Sequence, residues 1–236
     1  MGPVMSPEPP LAEQVESPIA DRLGHLDPVS VTTPVTGVGP AVKRGLDVVV
    51  SVTALILLVP VMLLIAAAIR LDSRGPVIYR QARVGRDGVF EILKFRTMED
   101  GADELRDSLR HLNENDGVLF KSSRDPRVTR VGRVLRPVFL DEIPQLLQVA
   151  TGRMSLIGPR AMPPTMNAAI DQPFRDRRLV VRPGITGAWQ VDGTERRRSI
   201  QEMARMDDEY IRTWSLGRDL IILLKTLPYV LSRRGI

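Results

Sequence analysis

The chain has 236 residues with no cysteine and two histidines. This composition excludes a disulfide framework, a cysteine-bound zinc site and a thiol nucleophile, and it gives little support to a histidine-based metal site. Hydrophobic residues at 43% and charged residues at 26% are typical of a globular protein. Aromatic residues at 4% are too few for a typical single-strand nucleic-acid binder. Any catalysis must therefore use carboxylates, basic side chains, hydroxyls or the backbone.

The first forty residues differ from the rest in charge and composition. They hold five acids, one base and eight of the 19 prolines, so their charge of −4 leaves +9 on the remainder of a chain of net charge +5. No basic region followed by an apolar run occurs there, which argues against a signal peptide. We predict a disordered, proline-rich tail over residues 1–40, with a partner-binding segment as the alternative.

An uncharged run of 22 residues follows at 48–69. A helix that crosses a membrane needs about 20 apolar residues, so the run is long enough. Pro60 lies in its middle and kinks or breaks the helix. Basic residues flank both ends, and such residues favour the cytoplasmic side. The pattern favours a re-entrant helix–break–helix over residues 41–75, with a spanning helix and a buried core helix as the alternatives.

The remaining residues, 76–236, begin with two extended stretches. The turn residues Gly85-Arg86-Asp87-Gly88 between them predict a β-hairpin. Lys94 and Arg96 share one side of the second strand, where two cations suit a phosphate or a lipid headgroup. A solvated strand face is the alternative.

Two further helices and a basic stripe are predicted from the pattern of the soluble part. Residues 102–112 are typical of a polar surface helix, and residues 216–231 of a helix on a core or, alternatively, at a membrane surface. The stripe favours an anionic partner such as a lipid headgroup or a nucleotide diphosphate, with a solvated surface helix as the alternative. Its arginines recur at every third position: Arg124, Arg127, Arg130, Arg133 and Arg136.

The densest group of polar residues surrounds Asp141 and Glu142. Pro144, an apolar run and Gly152 follow, which predicts a helix with Asp141 as its N-cap and Glu142 in its first turn. A helix N-terminus favours the anionic form of a carboxylate, which also suits Asp141 as a nucleophile. Glu142 could hold Mg²⁺, which takes oxygen ligands. The spacing alone leaves two roles open for Asp141, helix N-cap and nucleophile.

Taken together, these segments resemble the bacterial sugar transferases, the monotopic phosphoglycosyl transferases of glycan assembly. The resemblance covers nearly everything after residue 40, and nine strings in one order are far more specific than any one alone. The strings are KRGLD at 43–47, the apolar run with Pro60, GPVIYRQARVG at 75–85, KFRTM at 94–98, FKSSRDPRVTRVGRVLR at 120–136, LDEIPQL at 140–146, GRMSLIGPR at 152–160, VRPGITGAWQV at 181–191 and DDEYIRTWSLGRDLIILLKT at 207–226.

The resemblance implies an α+β, mostly helical fold: a re-entrant membrane helix and a small cytoplasmic catalytic domain with a β-hairpin and amphipathic surface helices. It implies transfer of a phosphosugar from a nucleoside diphosphate sugar, usually a UDP-sugar, to polyprenyl phosphate at the bacterial plasma membrane. The products would be polyprenyl diphosphate sugar and UMP, in the first membrane step of glycan or exopolysaccharide assembly. Membrane lipids are expected partners and nucleic acid is not; monomer and homodimer both stay open.

The resemblance also implies roles for individual residues. Asp141 would attack the sugar-bearing phosphate to give an aspartyl phosphosugar, Glu142 would help to hold Mg²⁺, and Arg136 would stabilise charge in the transition state. Arg96 is added to the substrate-binding set from its place beside Lys94. The other members of that set match polar positions of the family's motifs: Lys94, Arg160, Gln190, Asp207 and Asp219.

The chain departs from the family's pattern at three positions. Phe139 stands where many relatives have a hydroxyl residue, Val59 replaces a common serine before Pro60, and Thr194 replaces an arginine. These departures motivate one alternative function, a non-catalytic membrane-anchored module that binds lipid or a partner. The intact Asp141-Glu142 pair disfavours it.

Overall fold

The computed structural model describes residues 38–102, 104–105, 108–109, 111, 122, 125–192 and 199–232. Most of the predicted tail, and also Arg124 and Thr194, lie outside these residues. The described part is α+β and mostly helical, as predicted. Its elements are α1 (Val38–Asp72), β1 (Ile78–Gly85), β2 (Gly88–Phe95), α2 (Arg130–Leu135), α3 (Gln145–Ala150), β3 (Ser155–Ile157), α4 (Pro164–Ala168), α5 (Gln172–Arg178), β4 (Gly184–Thr186), α6 (Ile200–Arg212) and α7 (Leu216–Leu231).

Helix α1 contains the whole apolar run. It is helical through Pro60 without interruption, so the predicted break is wrong. Proline removes a single backbone hydrogen bond, and a bend can absorb the crowding of its ring, so a helix of 35 residues need not end there. The helix is long and apolar enough to cross a membrane, and 11% of its most apolar window is buried, which contradicts the core-helix alternative.

The N-terminal end of α1 is fixed to the globular part by charged side chains. The Arg44 guanidinium donates to the carbonyls of Val149 and Ala150 at 2.6 and 2.8 Å, at the end of α3. The last carbonyls of a helix lack the usual amide partner four residues on, so a cation can bind them. Val149 also accepts from the Gly152 amide at 3.1 Å. The Asp47 carboxylate accepts a hydrogen bond of 3.1 Å from the Leu156 amide in β3.

The C-terminal end of α1 is fixed to the same globular part. The Asp72 carboxylate accepts a hydrogen bond of 2.8 Å from the Val131 amide in α2. Ile69 is buried in one apolar cluster with Phe95 and Leu135. The exposed apolar middle of α1 therefore lies between two ends that both contact the soluble part.

The predicted hairpin is confirmed. Strands β1 and β2 pair antiparallel, with Gly85 opposite Gly88 at the turn. Gly88 has a φ of +105°, which a glycine adopts without strain. On the other edge of β2, the Gln148 side chain accepts from the Leu93 amide and donates to the Glu91 carbonyl at 3.0 and 2.6 Å. The Gln148 side chain thus forms the hydrogen bonds that a neighbouring strand would form with β2, and it holds α3 beside Lys94.

Strands β3 and β4 form a parallel pair, which a bridge from Arg160 to Gly184 extends. Their backbones approach closely at Gly158 and Gly184, where an added Cβ would lie 2.2 to 2.6 Å from backbone atoms. Since no side chain fits in that space, glycine is required at both positions. This contact fixes the loop that carries Arg160.

Helix α7 presents an apolar face outward. Asp219 and Ile222 are buried, and Ile222 belongs to an apolar core cluster, so α7 packs on the core at these positions. The membrane-surface alternative for residues 216–231 stays a prediction. The described residues among 102–112 lie in turns rather than an α-helix. The large exposed apolar residues of α7 are Leu216, Leu220, Ile221, Leu223, Leu224, Leu227 and Leu231.

Candidate active site

Asp141 and Glu142 lie in a 3₁₀ turn of their own, Leu140–Glu142, which we call the dyad turn. Phe139 precedes it with a φ of +56° in the left-handed region, which separates the dyad turn from the turn before it. Helix α3 begins three residues after Glu142, and Asp141 makes no side-chain cap. The N-cap prediction is therefore wrong, because the left-handed residue starts a separate turn before the helix.

Glu142 is buried and meets two cations at one oxygen. The Lys94 Nζ lies 2.6 Å from Oε1, and a terminal nitrogen of Arg160 lies 3.0 Å from the same atom. Burial raises the pKa of Glu142, but the charges and hydrogen bonds of Lys94 and Arg160 outweigh it and lower the pKa to about 2. Glu142 is therefore an anion at any physiological pH.

Asp141 is equally buried but lacks such a partner: no ion pair with it exists in the described part of the chain. Burial raises its pKa and the neighbouring Glu142 adds to this, while the charges of Lys94 and Arg136 act in the opposite direction. The expectation from the sequence is that a helix N-terminus favours the anionic form of Asp141, that is, lowers its pKa. The pKa is raised instead, because desolvation is the larger effect. The two adjacent carboxylates are shifted in opposite directions.

A small cavity of about 10 Å³ adjoins the dyad, and Lys94, Glu142 and Arg160 line it. Arg83 and Gln145 line it as well, and the sequence did not single them out. The buried Nε2 of Gln145 has no hydrogen-bond partner among the described residues. A buried donor without a partner is costly, and a bound ligand would satisfy it. The one sequence signal for Gln145 was its position inside the LDEIPQL string.

The dyad fits a magnesium ion that substrate phosphates would share. The described residues contain no group of three or more histidine, cysteine, aspartate or glutamate side chains that could hold a metal. Mg²⁺ commonly binds one or two carboxylates together with substrate phosphates and waters, and Asp141 and Glu142 supply such oxygens. An all-protein magnesium cage is therefore not built here, whereas a shared ion is compatible with the donors.

Arg160 is held in place from behind by Arg178. An Arg178 terminal nitrogen donates to the Arg160 carbonyl at 2.6 Å, and its Nε lies 2.9 Å from Oδ2 of Asp207. The N–H of that Nε is not aligned for a hydrogen bond, so the contact with Asp207 is an ion pair. Burial, opposed by the charge of Arg178, raises the pKa of Asp207 to about 6. Asp207 thus supports the site through Arg178 and does not contact the dyad.

Two other predicted binding residues make contacts within the protein. The Arg96 guanidinium is buried and donates to the carbonyls of Ser73 and Arg74, just after α1. Gln190 is buried and donates from Nε2 to the Ile185 carbonyl at 3.1 Å. Neither lines the cavity at the dyad.

Asp219 is also separate from the dyad cavity. Its carboxylate accepts from the Lys43 ammonium and the Tyr210 hydroxyl, both at 2.6 Å, and from the Trp214 indole at 3.1 Å. It fixes the start of α7 to the start of α1. Spacing along the chain cannot distinguish such a junction from a substrate contact.

The arginine stripe is divided by burial. Arg127 is buried and binds the Asp125 carboxylate with two guanidinium nitrogens at 2.7 and 2.9 Å. Arg130 and Arg133 are exposed, and Arg136 lies close enough to lower the pKa of Asp141. The single basic face that was predicted is therefore wrong for Arg127, because Asp125 neutralises it internally.

Comparison with known proteins matches most of this chain to one family. The bacterial sugar transferase model matches residues 38–233. The chain is 41% identical over 244 residues to the UDP-glucose:undecaprenyl-phosphate glucose-1-phosphate transferase of Caulobacter vibrioides, covering 93% of this chain and 86% of that protein. It is 38% identical over 215 residues to the exopolysaccharide production protein ExoY of Rhizobium meliloti, covering 86% and 92%.

A longer relative matches over part of its length. The galactosyl transferase CpsE of Streptococcus agalactiae is 38% identical over 195 residues, which are 82% of this chain and 43% of CpsE. The protein is an enzyme of the sugar-phosphate transferase class. The chain belongs to the bacterial sugar transferase family.

Proposed function

We propose that this protein transfers a phosphosugar from a UDP-sugar to a polyprenyl phosphate, by way of a covalent aspartyl phosphosugar. The relatives named for undecaprenyl-phosphate transfer support the donor and acceptor classes. The observation that carries the mechanism is the buried Asp141, which makes no ion pair with any described residue, beside a Glu142 that holds both Lys94 and Arg160. Among the described residues Asp141 has no counter-ion and is therefore available to react, while Glu142 holds Lys94 and Arg160 in place.

In the first step an Asp141 carboxylate oxygen attacks the sugar-bearing phosphorus. A P–O bond to that phosphorus forms as the bond to the bridging oxygen breaks, and UMP leaves with that oxygen. In the second step a phosphate oxygen of the polyprenyl phosphate attacks the same phosphorus and releases the Asp141 carboxylate. The products are polyprenyl diphosphate sugar and free enzyme, so no proton donor or oxidant is needed.

The basic residues around the dyad hold and neutralise the diphosphate. Lys94 and Arg160 line the cavity, and Arg136 is near enough to act on Asp141. Positioned cations stabilise charge that develops on a transferring phosphoryl group. Glu142 would also hold Mg²⁺ together with the donor's phosphates; that ion would neutralise charge on the diphosphate.

We further propose that both ends of α1 lie on the cytoplasmic face, with the catalytic domain there. A straight helix of 35 residues would be about 52 Å long at about 1.5 Å per residue, well beyond a hydrocarbon core of about 30 Å. Yet Arg44 and Asp72, near its two ends, both bond to the soluble part. A bend at Pro60 reconciles these contacts with an exposed apolar middle.

The covalent route is tested by mass spectrometry of enzyme quenched with UDP-sugar in the absence of lipid. We expect a phosphosugar adduct on the peptide containing Asp141. Asp141→Asn should lose at least about 10⁴-fold in turnover, because a neutral amide cannot form the acyl phosphate. Asp87→Asn, in the exposed hairpin turn, is the matched control and should retain activity. Turnover by Asp141→Asn at the wild-type rate would contradict the mechanism, and an adduct-free active enzyme would indicate direct transfer.

The topology is tested with single cysteines, since the chain has none of its own. Val42 and Arg74 are exposed and flank the apolar run, so Val42→Cys and Arg74→Cys place one thiol at each end. Arg130→Cys marks the soluble domain. A membrane-impermeant maleimide should label all three from the same face of oriented vesicles. Labelling of positions 42 and 74 from opposite faces would establish a spanning helix.

A further inference from the structure

A second cavity, of about 90 Å³, lies at the N-terminal end of α1. We call it the N-terminal cavity. Pro40, Lys43, Arg44 and Asp47 of α1 line it on one side, and the walls of the soluble part include Trp214. These α1 residues immediately precede the uncharged run, so a membrane-attached chain places the cavity at headgroup depth. No described residue lines both cavities, although Arg83 of the dyad cavity and Arg86 of the N-terminal cavity are three positions apart on the same hairpin.

The N-terminal cavity has more cations than acids. Lys43, Arg44, Arg86 and Arg182 line it, against the single carboxylate of Asp47. Lys43 is neutralised outside the cavity by Asp219 at 2.6 Å. The three guanidinium groups of Arg44, Arg86 and Arg182 meet the Asp47 carboxylate in the lining, and the charge of Asp87 beside Arg86 also acts on Arg182.

Two of these guanidinium groups have donors to spare. Arg182 uses its Nε to bind the Gly152 carbonyl at 2.6 Å, and Arg86 makes no hydrogen bond or ion pair within the described ranges. Burial, followed by the charges of Arg86 and Arg44, lowers the pKa of Arg182. Like charges brought together and partly desolvated are unfavourable, and a bound anion would relieve them.

We propose that the N-terminal cavity binds the phosphate group of an anionic membrane lipid through Arg86 and Arg182. A planar guanidinium suits a phosphate because its paired N–H groups match two phosphate oxygens. The apolar wall that includes Val180, Ile211 and Trp214 gives the lipid's uncharged stem a surface to lie against. This site rests on the proposed membrane attachment, but it takes no part in the transfer reaction.

The test measures lipid retention and not turnover, so its failure is distinguishable from failure of the proposed reaction. The full chain is placed in nanodiscs of phosphatidylcholine with and without phosphatidylglycerol, then moved into neutral detergent for native mass spectrometry. We expect wild type to keep phosphatidylglycerol in preference to phosphatidylcholine. Arg86→Gln and Arg182→Gln should each retain about fivefold less, the effect of one cation near an anionic headgroup.

Arg80→Gln is the matched control, because Arg80 lies on the same hairpin but is exposed and paired with Glu91. It should retain phosphatidylglycerol like wild type. Arg86 has no partner to lose within the described part of the chain, so Arg86→Gln decides the test if Arg182→Gln unfolds. Equal retention by wild type and Arg86→Gln would overturn the proposal. Displacement of the lipid by inorganic phosphate or UMP would also overturn it, by assigning the cavity to a soluble phosphate.

Discussion

Glu142 and Asp207 are both buried carboxylates paired with arginine, yet their pKa values move in opposite directions. Glu142 receives Lys94 and Arg160 at hydrogen-bonding distance and its pKa falls to about 2. Asp207 pairs with one cation among the described residues, Arg178, and burial outweighs the lowering effects of Arg178 and Trp189, so its pKa rises to about 6. The comparison teaches that burial sets the cost of the charge, while the number of close cations decides whether the charge is kept.

The difference also separates two roles. The Glu142 cluster lines the dyad cavity, and its cations can turn toward a substrate phosphate. The Asp207 cluster lies behind it and reaches the site through one bond, from Arg178 to the Arg160 carbonyl. On the proposed mechanism the first cluster acts in the reaction, and the second positions Arg160 through its backbone.

Among the variants that compare the two clusters, the largest expected effect comes from Glu142→Gln. The substitution leaves Lys94 and Arg160 as partly buried cations without their shared counter-ion, at a cost of about 3 kcal/mol of unfolding free energy. We also expect a loss in turnover of about 10²-fold or more, since positioned charges stabilise the transition state. Thermal unfolding and initial rates, each measured across a magnesium titration, check both.

A matched control for Glu142→Gln is Glu91→Gln. Glu91 pairs with Arg80 at 3.3 Å on the exposed hairpin face, with the two side chains 58% and 65% exposed. Such a pair contributes about 0–1 kcal/mol, so Glu91→Gln should leave stability and turnover nearly unchanged. If the two variants lost equal stability, burial would not be what distinguishes the Glu142 cluster.

The pH dependence of stability should show both carboxylates in separate windows. Glu142 has a folded pKa of about 2, below its ordinary 4.5, so its contribution is complete above pH 4.5 and is lost as the pH falls toward 2. Asp207 has a folded pKa of about 6, above its ordinary 3.8, so the folded state binds its proton more tightly and stability falls as the pH rises from 3.8 to 6.

Asp207 should account for up to about 3 kcal/mol across that window, by the usual conversion of a pKa shift into free energy. Asp141, whose pKa is also raised, contributes in the same direction. Unfolding in detergent at a series of pH values measures the slope, and Asp207→Asn should reduce it. An unchanged slope in Asp207→Asn would assign the whole effect to Asp141 or to other groups.

Much of the fold was predictable because its signals are local. Turn glycines predicted the hairpin, and an uncharged run predicted the long helix α1. The Asp141-Glu142 pair and Lys94 were found from motif strings, and the structure brings Lys94 to Glu142 at 2.6 Å. These predictions needed no knowledge of which distant residues meet.

What could not be predicted depends on contacts far apart in the chain. Arg96 was assigned to substrate from its place beside Lys94, and Asp207 from its match to a polar position of the family's motifs. Arg96 instead binds the carbonyls after α1, and Asp207 meets an arginine 29 positions earlier. The sign of the Asp141 pKa shift was missed for the same reason, since desolvation depends on tertiary burial. The left-handed Phe139, which separates the dyad turn from the 3₁₀ turn before it (Arg136–Val138), has no signal in residue type.

The smallest expected effect, and the sharpest test of the second cluster, is Arg178→Lys. Lysine keeps a positive charge beside Asp207 but lacks the fork that lets arginine bind Asp207 and the Arg160 carbonyl together. Losing one hydrogen bond should cost about 1 kcal/mol. If Arg178 positions Arg160, part of that loss should appear as about a fivefold rise in KM for the UDP-sugar with little change in the unfolding midpoint.

Arg175→Lys, on the same helix and hydrogen-bonded to the Ala168 carbonyl, is the control. A lower unfolding midpoint with an unchanged KM would give Arg178 a purely structural role and would separate the Asp207 cluster from the active site.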